Sequence, residues 1–353
     1  MDRIRDPGRV ALGCVVDKQP RFAAEVVRLV RSLRWFGGRL AGADCLVCFV
    51  ESVDRACAAA LERLGALIRV VPRVGGRAWP SNRFGFLELP ELDAYDTIIM
   101  QDCDTVVVQD PWPWLDVEAL QVKMADAATV PHDVFQRLFE HFHLPLPRQD
   151  HRCTPSGTPS IWYCNAGVVV LPRPLLRDFC ARWRRFNNLV IEHLDLLGPQ
   201  AYHCMQASMA LAYAAQPVSF RELPLCMNFP LHLTQYAHSA DMVECDPVIL
   251  HYHSRVDAAG YLQPSPFPIA HERIEQFNQR LRSEGVFPGK TAPASGAAVA
   301  ALVGGGSIQH RLAVLRDAYR SAQHRIGMRA RSMLGRLRFL GLLISRVLPS
   351  GRG

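Results

Sequence analysis

The run TIIMQDCDTVVVQD, residues 97–110, holds the residue types best suited to chemistry in this chain. A β-branched apolar stretch ends in two aspartates two positions apart, Asp102 and Asp104, and in extended backbone such positions face the same side. Two hard carboxylate oxygens on one side suit a divalent ion that also holds phosphate oxygens. Alone, an Asp-x-Asp triplet is expected about once by chance in a chain with this many aspartates, and the bland alternative is a solvated turn at a strand end. Its weight therefore comes from where it sits.

Three other patterns compete for attention. Cys45-Leu-Val-Cys48 has metal-like spacing, but in an apolar strand its two thiols face opposite sides, which predicts buried structural cysteines. His141, His143, His151 and Cys153 offer four residues of zinc-ligating type around a proline-rich stretch. We read that stretch as a surface loop forming a mobile wall of an acceptor site. Finally, DCDTV fits the opening motif of haloacid-dehalogenase-type phosphatases, with Asp102 as nucleophile. The later acidic pair that would complete such a site does not occur downstream.

The elements that must position Asp102 and Asp104 alternate. Strands are expected over Val10–Val16, Cys45–Val50, Leu67–Val71 and Thr97–Met100, with helices over Phe22–Phe36 and from a Ser52 cap to Leu64. This alternation predicts a doubly wound α/β domain that binds ligand beyond the carboxyl ends of its strands, where Asp17 and Asp102 lie. Farther on we expect helices at Val134–Phe142, Pro174–Asn187 and Met205–Ala214. Short strands are expected at Val168–Leu171 and around Val248–His251.

The chain has 353 residues, 49% hydrophobic and 21% charged, the balance of a globular protein. Its net charge of +7 invites a nucleic-acid reading, but residues 311–353 carry ten arginines and one acid, which leaves −2 for residues 1–310. No nucleic-acid partner is expected from such a body. We expect a domain over 1–287, a Gly- and Ala-rich flexible linker over 288–310 and a basic helical tail over 311–353. In that tail Ile326, Ala330, Met333, Leu337, Leu340, Ile344 and Leu348 form one apolar stripe flanked by arginines, which suits an anionic membrane surface. A coiled-coil seam is the alternative for the same stripe. Eleven irregularly spaced cysteines and no apolar run after Met1 lead us to expect a reducing, cytoplasmic setting, peripheral at the inner face of the membrane through the tail.

Taken in order over about residues 9–285, the motifs resemble nucleotide-sugar glycosyltransferases of the GT-A fold, closest in pattern to family 8. VALGCVVD, with Val15, Val16 and Asp17, resembles the opening strand that meets the nucleobase. Asn82 and Arg83 stand where such enzymes carry a polar pair before the Asp-x-Asp strand. YCNAGVVVLPRP, with Asn165, Ala166 and Gly167, looks like the strand lining the donor-sugar site, and Gln206 in CMQASMALA like the start of a family helix. LPLCMNFPLH, with Asn228, is similar to the family's Leu-Pro…Asn segment, and VILHYHSR places His251 like its metal-binding histidine. Two positions depart: Met205 replaces the usual acid before the glutamine, and the Lys-Pro-Trp ending is missing.

The resemblance implies a single Rossmann-like domain with a mixed central sheet. It also implies transfer of a hexose, from a UDP-sugar, to a hydroxyl of a glycan or glycolipid, with retained anomeric configuration. Asp102, Asp104 and His251, or His253 in its place, would hold Mn²⁺ or Mg²⁺. Asp102, Asp104 and Gln206 would be the catalytic group, and Gln101, Cys103 and Arg255 would join the donor contacts, Arg255 replacing the missing lysine. A catalytically silent nucleotide-sugar-binding protein on the same scaffold is the other reading of the two departures.

Overall fold

The computed structural model describes residues 8–285 apart from Gly75 and Arg77, so the expected linker and basic tail lie outside the described residues. Apolar, β-branched sequence forms the first half of the sheet: β1 (Val10–Val16), β2 (Asp44–Val50) and β3 (Ala66–Val71), joined by α1 (Pro20–Phe36) and α2 (Arg55–Arg63). Proline at the start of α1 costs nothing, because that N–H has no helical partner anyway. The cap of α2 is Asp54, not Ser52: its Oδ1 accepts from the Cys57 amide at 2.9 Å. Glu51, at φ 63°, turns the chain first, so the helix starts later than the Ser52 reading places it.

After α3 (Phe84–Leu87) come β4 (Thr97–Gln101), β5 (Thr105–Val107) and β6 (Leu120–Met124). Beyond them lie α4 (His132–His141), the small hairpin of β7 (His151–Arg152) and β8 (Pro159–Ser160), and β9 (Cys164–Pro172). Helices α5 (Arg173–Glu192), α6 (Leu194–Leu197) and α7 (Cys204–Ala215) lead to β10 (Phe220–Glu222) and β11 (Phe229–Pro230). The described chain closes with α8 (Ala240–Val243), β12 (Ile249–His251) and α9 (Pro268–Ser283).

The main sheet runs β10-β6-β9-β4-β1-β2-β3. Strand β9 is antiparallel to both β4 and β6, so the architecture is the expected α/β one with a mixed central sheet. The β6–β9 pairing slips at Val122/Lys123, jumping from Val122↔Val169 to Lys123↔Asn165. That slip opens the sheet beside Asn165 to Gly167. A second sheet, β11-β12-β5, carries β12 antiparallel to β5 beside the end of β4.

Apolar side chains cover both sheet faces. Cys48, Met100 and Trp183 lie in one core cluster; Cys45, Leu12 and Val27 lie in the other. The CxxC thiols therefore face opposite sides as expected, and burial pushes each up to about 12. All eleven cysteines are unpaired, ten of them buried. Helix α9 packs Ile274, Phe277 and Leu281 into a third cluster against β12, through a spacing of three and four residues that our reading of the sequence passed over. Among the described residues no helix is long and apolar enough to cross a membrane.

Candidate functional site

Where β1 and β4 end and the antiparallel β9 begins, a pocket of about 420 Å³ opens, lined by residues from Val15 to Ser254. Its floor is the turn joining β4 to β5. Asp102 and Asp104 sit in this turn, with the Thr105 amide donating to the Asp102 carbonyl at 3.2 Å, and not in the continuous strand expected. The two carboxylates converge because the chain reverses there.

The turn is pinned on three sides. The Asp102 amide donates to the Gly167 carbonyl on β9 at 2.8 Å, the Tyr252 amide donates to the Asp104 carbonyl at 3.0 Å, and the Cys103 thiol donates to the Val15 carbonyl at 3.2 Å. Arg83 fixes Asp102 further: its Nε donates to Oδ1 at 2.6 Å, leaving Oδ2 toward His251. The Nε2 of His251 lies 3.2 Å from Asp104 Oδ1 and 3.9 Å from Asp102 Oδ2. Among the described residues Asp102, Asp104 and His251 form the one group of three whose ligand atoms all lie within 4.8 Å of one another.

Of the two histidine alternatives, then, the geometry brings His251 to the aspartates. His253 adopts a left-handed φ of 52°, which folds its ring flat against that of His251, with centroids 3.9 Å apart and planes at 10°. The zinc-like set of His141, His143, His151 and Cys153 is not assembled among the described residues; the His141 ring packs against His193 instead.

Electrostatics follow from this geometry. Burial opposes ionisation of Asp104, but the His251 imidazole beside it holds the carboxyl well below the usual range. Asp102 goes the other way: burial raises it against the pull of Arg83. Burial also disfavours charge on His251, yet Asp104 and Asp102 override it and raise the ring's pKa. His253, buried and facing two other imidazoles, falls to about 3. Two carboxylates and one imidazole converging in this way fit a divalent ion. Gly167 supports the fit: a Cβ there would stand 2.6 Å from His251 Cε1 and 2.9 Å from Asn165 Oδ1, so only glycine lets ring and amide meet.

At the other end of the pocket Asp17 receives Arg73 Nη2 at 3.0 Å and Asn82 Nδ2 at 3.0 Å, while Asn82 Oδ1 takes the Val74 amide at 2.8 Å. Asn165 and Gln206 line the pocket with Val15, Asp17, Asn82, Arg83 and Cys103. Five expected contacts lie outside the lining. Val16, Gln101 and Ala166 are buried in their strands, Gly167 contributes through its backbone, and Arg255 turns away to donate to the Pro264 carbonyl at 2.7 Å. Arg255 is thus not among the residues that line this pocket. The loop expected as an acceptor wall, residues 143–160, also contributes no lining residue: its Thr154 and Ser156 amides are bonded to the Ala125 and Asp126 carbonyls.

Sequence reasoning missed Asp126, His232 and the aromatic pair Trp79–Tyr202, all of which line the pocket. Asp126 follows β6 as Asp102 follows β4, and the strand-end rule finds it once Leu120–Met124 is read as a strand. Lys123 and Gln121 hid that strand, because both are buried polar residues that read as solvent-facing.

Comparison with known proteins supplies the class. Several solved structures are similar over most of the chain. A galactosyltransferase, LgtC, crystallised with donor and acceptor sugar analogs, is 16% identical, with 80% of this chain and 97% of that one covered and a TM-score of 0.45. Mouse xyloside xylosyltransferase 1 is 14% identical over 69% of this chain and 98% of that one, at 0.41. The glycosyltransferase GlyE of Streptococcus pneumoniae is 13% identical over 80% and 66%, at 0.47. No curated protein sequence matches. A family model described as the Rhodobacterales glycosyltransferase domain matches residues 13–215, which include Asp17, Arg83, both aspartates and Asn165. That match covers more than half of the sequence, and the chain belongs to this glycosyltransferase family.

Proposed function

We propose that this glycosyltransferase moves a hexose from a nucleoside diphosphate sugar, a UDP-sugar in our reading, to a hydroxyl of a glycan or glycolipid. The observation that carries the proposal is the convergence of Asp102, Asp104 and His251 on the floor of the main pocket. Those three residues would hold Mn²⁺ or Mg²⁺; when bound, the ion supplies Lewis-acid stabilisation of the negative charge left on the diphosphate. The imidazole in the set favours Mn²⁺.

The chain's own residues do the rest. Arg83 places a guanidinium beside Asp102, within reach of the charge that develops on the leaving group. Asn165 and Gln206 present amides to sugar hydroxyls, and Gln206 is oriented by the Tyr163 hydroxyl, which donates to its Oε1 at 2.8 Å. Asp17 and Asn82 form the nucleoside end. No side chain is assigned as a base, in keeping with retention of configuration, where none is required. A thermal-shift panel of nucleotide sugars with Mn²⁺ tests the proposal, since a bound donor raises apparent stability by mass action. Stabilisation by UDP-hexoses alone is expected; equal response to every nucleotide or to none would sink the donor assignment.

One observation favours a second reading, a protein that binds the nucleotide sugar without turnover. Met205, buried where the family carries an acid, meets Arg83 Nη1 through its sulfur at 3.6 Å. UDP binding without transfer or hydrolysis would select that reading. For the whole chain we propose a catalytic domain over 1–287, a linker over 288–310 and a tail over 311–353 that seats the protein on an anionic cytoplasmic membrane face. Sedimentation with vesicles of phosphatidylcholine alone or with phosphatidylserine, with and without residues 311–353, tests the tail; equal binding to both vesicle types refutes the electrostatic part.

A further inference from the structure

Lys123 is the least expected residue near the site. It is fully buried at the register slip of β6, and its ammonium donates to the Met124 carbonyl at 3.0 Å, the Thr154 carbonyl at 2.9 Å and Asp126 Oδ1 at 2.6 Å. Those three bonds use all three protons of the group. Burying a lysine is costly unless its charge is matched, so a purely apolar side chain would be the simpler filler for this strand.

From Lys123 a row of hydrogen-bonded side chains leads to the pocket floor. Asp126 Oδ2 accepts from Asn165 Nδ2 at 3.1 Å, Asn165 Oδ1 accepts from Asn228 Nδ2 at 3.2 Å, and Asn228 Oδ1 faces His251 Nδ1 at 3.0 Å. Asn165 Oδ1 also accepts the Gly167 amide at 2.8 Å. Each amide has a donor end and an acceptor end, and Asn165 is oriented from both sides, by the Asp126 carboxylate that accepts from its NH₂ and by the Gly167 amide that can only donate to its oxygen. Lysine only donates, and an ionised carboxylate only accepts. Asp126 must therefore face the NH₂ of Asn165, Asn165 must offer its oxygen to Asn228, and Asn228 is left with its oxygen toward His251. With a cation bound, the imidazole would then keep its proton on Nδ1 and offer the Nε2 lone pair to the ion held with Asp102 and Asp104.

We propose that Lys123, by holding Asp126 as the accepting end of this chain, acts together with the Gly167 amide to set the tautomer of His251 through Asn165 and Asn228, which makes Lys123 and Asn228 positioning residues for the cation site. The inference rests on reading Asp102, Asp104 and His251 as that site. It adds that a cation four links away takes part in choosing the ring's ligating nitrogen. Partners that orient a ligating histidine in this manner typically govern about 10–100-fold in metal affinity.

The test is Mn²⁺ affinity of the full chain, read by electron paramagnetic resonance titration, without any need for turnover. Asn228→Leu, which leaves Nδ1 no acceptor, is expected to weaken Mn²⁺ by about 10–100-fold, and Lys123→Met by about tenfold. Asp126→Asn keeps the lysine, which claims the new amide's oxygen and turns its NH₂ toward that of Asn165, so it tests the same link if Lys123→Met does not fold; a loss of about tenfold is again expected. Asn228→Asp supplies a carboxylate that fixes the Nδ1 proton by itself. In that background Lys123→Met should have no further effect on Mn²⁺ affinity. An equal loss from Lys123→Met with and without Asn228→Asp, or no loss from either Lys123→Met or Asp126→Asn in the folded protein, overturns the relay. Wild-type protein that binds no Mn²⁺ overturns the cation site itself, and the proposal with it, which is a different result from intact binding that ignores Lys123.

Discussion

The two ends of the pocket hold their carboxylates by opposite means. At the end proposed to take the nucleoside, Asp17 is gripped by Arg73, a long side chain that also approaches Glu51, with Lys18 pairing Glu51 beside it. At the floor, Asp104 is gripped by His251, a short ring backed by asparagines and by the tight fit at Gly167. Ion pairs made by long, part-exposed side chains such as Arg73 and Lys18 contribute little and rearrange cheaply, even where their partner carboxylate, as in Asp17, is mostly covered. Buried links between short side chains leave no such slack. The same residue type is adaptable at one end and fixed at the other, which suits a site that must admit a nucleotide and then hold a reacting centre still.

That contrast can be broken from the floor upward. Asp104→Ala should remove nearly all transfer and donor hydrolysis, about a thousandfold or more, since a lost charge clamp is worth several kcal/mol at the transition state; circular dichroism should show the fold retained. Full activity in this variant would end the metal assignment. Gly167→Ala is the next largest. Its Cβ must displace the His251 ring or the Asn165 amide, so a fall of about 10–100-fold in Mn²⁺ affinity is expected, together with a lower Tm. A variant that binds Mn²⁺ normally would show the floor to be softer than its geometry.

At the adaptable end, Arg73→Ala should weaken nucleotide binding by only a few-fold, about 1 kcal/mol or less, in isothermal titration, because Asn82 still holds Asp17 and water replaces the guanidinium. A loss as large as that of Gly167→Ala would erase the distinction between the two ends. Asp54→Ala lies outside both. It removes the α2 cap and should cost about 1 kcal/mol in urea unfolding with donor affinity unchanged.

The parts of this molecule visible in its sequence are those where side-chain type and position in an element agree. β1, β2 and β4 are nearly uniform apolar runs because both faces of the central sheet are covered, and runs of that kind can be read directly. Asp102 and Asp104 stand out because they end such a run. His251 is read through the order of family-like motifs, and the structure adds why the neighbouring His253 stacks on its ring instead of reaching the aspartates: a backbone twist that no pattern of residue types encodes. β6 stayed hidden for the reverse reason. Its Gln121 and Lys123 look like solvent-facing residues, and only the register slip and the carbonyls around Lys123 explain how they are buried. With β6 unread, Asp126 could not be placed. β5 was missed because a three-residue strand is too short to show a period. Arg255 was placed by charge alone, and a charge needs a direction: the guanidinium found a carbonyl on its own loop.

The sealed thiols have a practical corollary. Ten of the eleven cysteines are buried, and the remaining one, Cys245, is only half-exposed with its pKa pushed up to about 12, so every native sulfur is slow toward alkylating dyes at neutral pH. A single cysteine introduced on the pocket rim, for instance Ser254→Cys, would then be the fast-reacting thiol in the described chain. A fluorophore attached there should report entry and departure of the proposed donor by a change in emission, with the wild-type sulfurs left in place.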